Sequence, residues 1–252
     1  RNVYWSIQHE DLINRHMLVN GTSGSGKTTA VNQIVKELFR QGHHIVYLDF
    51  SHSCTPKQLA SHGIEETFQK DNILRSRLES VLENPEELTS ALEIVQEENS
   101  ILLFETETYS DEVESFLTLL YEKVSEREEL EIFLVIDEVH ELNYAKGSPL
   151  YCIMEMGRRN GISLISIFQG PHQTKPKQYS MMNQSDIKLI FKLTDHKDAE
   201  DVAKSDALKP PGKFIEKIRK LAKHHCLVIG NLEDSDGELE NDRFVEVTVP
   251  EI

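Results

Sequence analysis

The stretch His16-Met17-Leu18-Val19-Asn20-Gly21-Thr22-Ser23-Gly24-Ser25-Gly26-Lys27-Thr28-Thr29 decides the fold. An apolar run leads into a G-x-x-x-x-G-K-[ST] loop, Gly21–Thr28, and a helical pattern follows over 27–40. This strand-loop-helix context is the one in which the motif holds phosphate. Its glycines let the backbone fold tightly, so that successive N–H groups and the helix N-terminus face an anion. Gly21, Thr22, Ser23, Gly24, Ser25, Gly26, Lys27, Thr28 and Thr29 are therefore expected to bind ATP, with Lys27 reaching the β- and γ-phosphates and the Thr28 hydroxyl ligating Mg²⁺.

About 110 residues on, the apolar run Ile132-Phe133-Leu134-Val135-Ile136 ends in Asp137-Glu138. A buried strand that delivers two carboxylates at its tip suits nucleotide hydrolysis, with Asp137 on the metal and Glu138 as general base for the attacking water. Small-molecule kinases activate a substrate hydroxyl and generally lack the second acid, so hydrolysis is favoured over phosphorylation. A further buried-strand pattern, Ser163–Phe168, ends in Gln169, an amide able to contact the γ-phosphate or the water. Ahead of it stands Gly157-Arg158-Arg159-Asn160-Gly161, at the end of a helical pattern. Basic residues there suit the helix dipole. Arg158 is also a candidate to enter a neighbouring subunit's site and neutralise transition-state charge.

Short β-type runs alternate with helical patterns, which predicts a mostly parallel α/β sheet. Strands are expected at 16–20, 44–49, 101–104, 132–136, 163–168, 188–192 and 225–229. Helices are expected at 27–40, 111–125, 148–160 and 197–205, with a Lys-rich one near 213–223. Residues 57–98, rich in Leu and Glu and broken at Asn84-Pro85, read as a helical insertion. Beyond Glu233 an acidic turn precedes FVEVTV, so 233–252 reads as an acidic tail or an edge strand.

The 252 residues carry 43 acids against 27 Lys and Arg, a net charge of −16, which excludes a uniformly basic nucleic-acid-coating protein. The charge is uneven. Residues 65–131 hold 20 acids and 5 bases and residues 233–252 hold 8 acids and 1 base, whereas 170–230 hold 12 Lys or Arg against 7 acids. Any contact with nucleic acid is therefore local, and the acidic stretch is not expected to face it. The loop GPHQTKPKQYS, with Lys175, Lys177 and Tyr179, has the make-up of such a contact. No apolar stretch approaches the roughly 20 residues of a membrane span. The opening RNVYWSIQHEDLINR has no secretory pattern, so the cytoplasm is expected. Cys54, Cys152 and Cys226 lie far apart and suggest neither a disulfide framework nor zinc. The pairs His43-His44 and His224-His225 abut strand patterns and point to opposite faces.

Taken together, HMLVNGTSGSGKTT, IVYLDFSH, FLVIDEVHEL and MGRRNGISLISIFQGP resemble the motor domain of the HerA–FtsK superfamily of ring-forming DNA-translocating ATPases, on the HerA side, over residues 16–171. The resemblance implies a RecA-like P-loop NTPase fold, with residues 1–232 as the motor. It implies an active site of Lys27, Thr28, Asp137, Glu138, Gln169 and either Arg158 or Arg159. It also implies a homo-oligomer, a hexamer, acting on double-stranded DNA as a translocase or helicase. Ser-Ile-Phe-Gln-Gly stands where Ala-Thr-Gln-Arg is commoner, which removes one family arginine. HerA-type proteins carry an N-terminal β-barrel, and here the motor begins near residue 16, as expected of a domain from a larger DNA-processing or anti-phage defence protein. The alternative is a nucleotide-gated regulatory module that controls a partner nuclease without processive movement.

Overall fold

The computed structural model describes residues 16–50, 73–98, 100–106, 111–127, 129–168, 183–205, 211–230 and 245–249. The chain divides into two compact units, one of residues 28–167 and one that joins residues 1–27 to 168–251.

The first unit carries a parallel sheet of β2 (His44–Asp49), β3 (Ile73–Ser76), β4 (Ile101–Glu105), β5 (Ile132–Ile136) and β6 (Ile162–Phe168), in the spatial order β3-β4-β2-β5-β6. Ile45 stands between Ile101 and Phe133, and Phe133 pairs with Ser163. Every residue of β5 and β6 is buried. Parallel strands covered on both faces read as continuous apolar runs, which is why these segments lack alternation. Helix α1 (Lys27–Arg40) leaves the loop of the opening motif. Helices α2 (Leu78–Glu83), α3 (Pro85–Glu98), α4 (Asp111–Ser125) and α5 (Pro149–Met156) follow.

In α4, Val113, Phe116, Leu117, Leu120 and Val124 recur at three- and four-residue intervals and are buried. Phe116 meets Phe104 of β4 with ring centroids 4.5 Å apart. Each such ring contributes about 1.5–3 kcal/mol by burial alone. Pro85 opens α3 directly after Asn84 closes α2, because proline lacks the N–H that a first-turn residue need not bond. Ser148 caps α5 by accepting from the Tyr151 N–H at 3.3 Å.

The second unit pairs β1 (Met17–Asn20) in parallel with β7 (Ile187–Ile190). β8 (His225–Gly230) and the outermost strand β9 (Val245–Thr248) then continue antiparallel. Between β7 and β8 the chain passes through two helices packed on one another, α6 (His196–Ser205) and α7 (Pro211–Lys220). A second helix undoes the reversal made by the first, so β8 enters in the opposite direction. The sheet is thus mixed, although mostly parallel.

The element boundaries follow the sequence closely, with two corrections. Within the segment read as a helical insertion, 57–98, residues 73–76 form strand β3; its stretch 57–72 lies outside the described residues. Four residues are too short for a periodic signal, and β3 exists because β4 offers an edge to pair with. The helix expected over 148–160 stops at Met156 and tightens into a 3-10 turn over Gly157–Asn160.

Candidate functional site

The phosphate loop lies in the unit of β1 and β7. Its root is tied down because Phe191 N donates to Asn20 O at 2.8 Å, and Thr22 donates to Lys192 O through its backbone N at 3.0 Å and its hydroxyl at 3.1 Å. Ser25 N closes the turn on Thr22 O at 3.3 Å. Gly26 has φ +109°, and a Cβ there would meet His224 Nδ1 at 2.9 Å and His224 Cα at 3.1 Å, so only glycine fits. The Lys27 side chain folds back, and its ammonium donates to Gly21 O at 2.9 Å and Thr22 O at 3.1 Å while only 7 % exposed. A buried ammonium needs such partners. Phosphate oxygens are stronger acceptors than these carbonyls. Helix α1 holds no acid in its own first turn to offset the positive end of its dipole. Thr28 and Thr29 stand half-buried in that turn. This donor set fits a polyphosphate anion.

The paired carboxylates lie in the unit of β5. Asp137 is 4 % exposed, and its N–H donates to Leu48 O at 3.2 Å, which sets it beside the end of β2. Its Oδ1 accepts from Glu138 N at 3.0 Å. Glu138 is left-handed, with φ 53° and ψ 36°, a conformation that costs a non-glycine residue about 1–3 kcal/mol. The turn aims a carboxylate that is 12 % exposed, with Oε2 3.3 Å from His140 Nδ1. Asp49, fully buried at the end of β2 and one residue past Leu48, escaped the sequence reading. Its signal is the one that found Asp137, an apolar strand ending in an acid. Asp137 and Thr28 are the residues whose oxygen chemistry suits Mg²⁺.

The arginine turn follows α5. Gly161 has φ +77°, and a Cβ there would stand 2.2 Å from Leu130 O. Asn160 donates through Nδ2 to the Tyr121 hydroxyl of α4, which locks the turn from its other side. Burial pushes the Tyr121 hydroxyl above its ordinary range. Arg159 is exposed, and Arg158 stands beside it in the same 3-10 turn. Gln169, Lys175, Lys177 and Tyr179 lie outside the described residues.

The histidine pairs serve other ends. His43 sits edge-on to Phe133 with centroids 5.2 Å apart, and His225 Nδ1 lies 3.4 Å from Glu246 Oε1. His224, with φ 62°, donates its N–H to Ser25 O at 2.9 Å, a support of the phosphate loop that no motif announced. Burial pushes the Cys226 thiol up to about 12, so it is inert. Among the described residues no helix is long and apolar enough to cross a membrane.

A family model described as an AAA domain matches residues 13–172. No curated protein sequence matches the chain. Among solved structures, the genome packaging NTPase B204 from Sulfolobus turreted icosahedral virus 2, in complex with AMP, is similar with a TM-score of 0.59 at 13 % identity, covering 90 % of this chain and 96 % of that one. The bacterial conjugative coupling protein TrwB gives 0.59 at 15 % identity over 94 % of this chain and 84 % of that one. VirB4 of Thermoanaerobacter pseudethanolicus gives 0.61 at 11 % identity over 97 % and 92 %. At these identities the likeness concerns the RecA-like fold. The family match covers most of the chain and includes the phosphate loop, both carboxylates and the arginine turn, so this chain belongs to the AAA domain family of P-loop ATPases.

Proposed function

We propose that the chain is the ATP-hydrolysing motor, residues 1–232, of a ring-forming translocase or helicase for double-stranded DNA. The observation that carries the reading is the phosphate loop, with its buried Lys27 ammonium resting on its own carbonyls at an acid-free helix N-terminus. On binding ATP, Lys27 exchanges the Gly21 and Thr22 carbonyls for the β- and γ-phosphates, and the N-terminal N–H groups of α1 face the same anion. Thr28 and Asp137 would hold Mg²⁺, which when bound would supply positive charge against the phosphates. Glu138 accepts the proton of the attacking water. Gln169 reads the γ-phosphate, and Arg158 or Arg159 neutralises developing charge in a neighbouring subunit's site, which requires a homo-oligomer, in this reading a hexamer.

The substrate follows from charge. The 12 Lys and Arg of 170–230, Lys175 and Lys177 among them, make a basic stretch in an acidic chain and suit a local track along a phosphate backbone. The shared fold with a DNA-packaging ATPase supports the same substrate. The test is ATP turnover measured with and without duplex DNA, beside the mass in solution. Turnover that rises with DNA and a ring-sized mass are expected. Turnover indifferent to DNA would favour a nucleotide-gated module acting on a partner nuclease.

A further inference from the structure

Helix α7 presents a fixed basic face. Phe214, Ile218 and Leu221 are 1 %, 0 % and 4 % exposed and α7 packs on α6, so the rotation of the helix about its axis is set by its core. Lys213, Arg219 and Lys220 fall on the opposite side, all exposed, and Lys223 is exposed in the elbow that leads into β8. Lys217 is ion-paired to Glu246 at 3.0 Å and Lys220 to Glu216 at 2.5 Å. Among the described residues Lys213, Arg219 and Lys223 have no such partner.

The helix dipole accounts for Lys217, Arg219 and Lys220, which sit in the last turn. It does not account for Lys213, which stands in the first turn, where a cation meets the positive end of the dipole and no acid offsets it. The apolar stripe already seats the helix without Lys213, Arg219 or Lys223. An external polyanion gives them a common purpose. At 1.5 Å per residue the seven steps from Lys213 to Lys220 span about 10 Å, roughly three phosphates of one strand.

The elbow leads directly to the phosphate loop. His224 follows Lys223, donates its N–H to Ser25 O at 2.9 Å and lies against Gly26, while its own carbonyl accepts from Val249 N at 2.8 Å. Ser25 and Gly26 immediately precede Lys27. The elbow that ends α7 is thus bonded to the backbone next to Lys27.

We propose that the solvent face of α7 contacts the phosphate backbone of duplex DNA and that His224 carries this contact to the phosphate loop. The inference rests on the DNA reading given above. Duplex affinity is measured at several salt concentrations for the parent and for Lys213→Ala/Arg219→Ala/Lys223→Ala. Each lost phosphate contact lowers the salt slope by about 0.9, so the triple variant is expected to lose up to about 2.7. Lys213→Arg/Lys223→Arg, which keeps the charges, should retain the parental slope.

For the elbow, the affinity for a non-hydrolysable ATP analogue is compared with and without duplex. The parent is expected to change by about fivefold or more. His224→Gly keeps the left-handed backbone and its N–H bond to Ser25 O and removes only the ring beside Gly26, and should lower that factor in part while duplex affinity stays parental. A parent that binds duplex beside a triple variant with the same slope overturns the contact and leaves the DNA reading standing. A parent without salt-dependent duplex affinity overturns both. A triple variant that loses self-association at an unchanged slope assigns α7 to the acidic surface of a second copy and overturns the inference. A parent without coupling overturns the role of His224, and His224→Gly with parental coupling overturns the part assigned to its ring.

Discussion

His140 Nδ1 lies 3.3 Å from Glu138 Oε2, while the other ring nitrogen lies 3.3 Å from Glu141 Oε1. The imidazole is 7 % exposed and sits in the 3-10 turn that begins after the left-handed Glu138. The imidazole thus stands between two carboxylates, one of them carried on strained backbone.

Glu138→Gln should keep ATP affinity and lower turnover by about 10²- to 10⁴-fold, because the amide cannot take a proton from water. His140→Ala should lower kcat more mildly and leave KM nearly unchanged, since it loosens the base without touching phosphate. Steady-state kinetics of both variants decide this; parental turnover in Glu138→Gln would refute the general-base assignment.

Lys27→Ala should abolish nucleotide binding rather than slow hydrolysis. The ammonium is already buried, and the phosphate oxygens are stronger acceptors than the Gly21 and Thr22 carbonyls it leaves, so its loss removes a charge-assisted contact to the anion that nothing else in the loop replaces. Titration with a fluorescent ATP analogue reads the loss directly. Retained affinity would mean that the loop N–H groups and the helix dipole suffice.

Those parts of the candidate site that carry their own local pattern are legible in the sequence. The loop needs glycines at set spacing, and Asp137-Glu138 needs a run of buried apolar residues before it, so both were legible. Asp49 was not singled out, because a single acid at a strand end becomes notable only when pairing sets it beside Asp137. His224 could not be found at all, since its bond to Ser25 joins residues nearly 200 positions apart and depends on β8 returning antiparallel. β3 was lost for a related reason: Ile73–Ser76 is a strand by virtue of its neighbour.

Gly161→Ala should destabilise the chain without altering nucleotide chemistry directly. The substitution places a methyl group 2.2 Å from Leu130 O at φ +77°. Strain of this kind costs about 1–3 kcal/mol, and at about 2–4 °C per kcal/mol the midpoint of thermal unfolding should fall by several degrees. An unchanged midpoint would show that the arginine turn relaxes freely.

Acid should loosen the junction of α7 and β9. Lys217, at 3.0 Å, and then His225 hold the Glu246 carboxyl below its usual range. A depressed folded value stabilises above the unfolded value near 4.5 and loses that stabilisation as the pH falls through the lower folded value. Glu246→Gln should therefore show a shallower loss of thermal stability than the parent between about pH 5 and about pH 3. The pair is partly exposed, so the difference should also shrink in high salt. Parallel acid profiles for the two proteins would refute the linkage.

The arginine turn should act across a subunit boundary. Arg159 is exposed, and the turn that carries it and Arg158 is braced by the Asn160–Tyr121 bond and by the close approach of Gly161 to Leu130 O. A rigid scaffold of this kind holds an outward-pointing guanidinium in place at little entropic cost. Arg158→Ala subunits alone and Glu138→Gln subunits alone should both be nearly inactive. When they are mixed, some interfaces should combine an intact Glu138 from one subunit with an intact arginine from its neighbour, so turnover should reappear. The same mixture made with Arg159→Ala identifies which of the two side chains crosses the boundary. If neither mixture recovers activity although mixed assemblies form, the arginines act within their own subunit or serve packing, and the composite site is refuted.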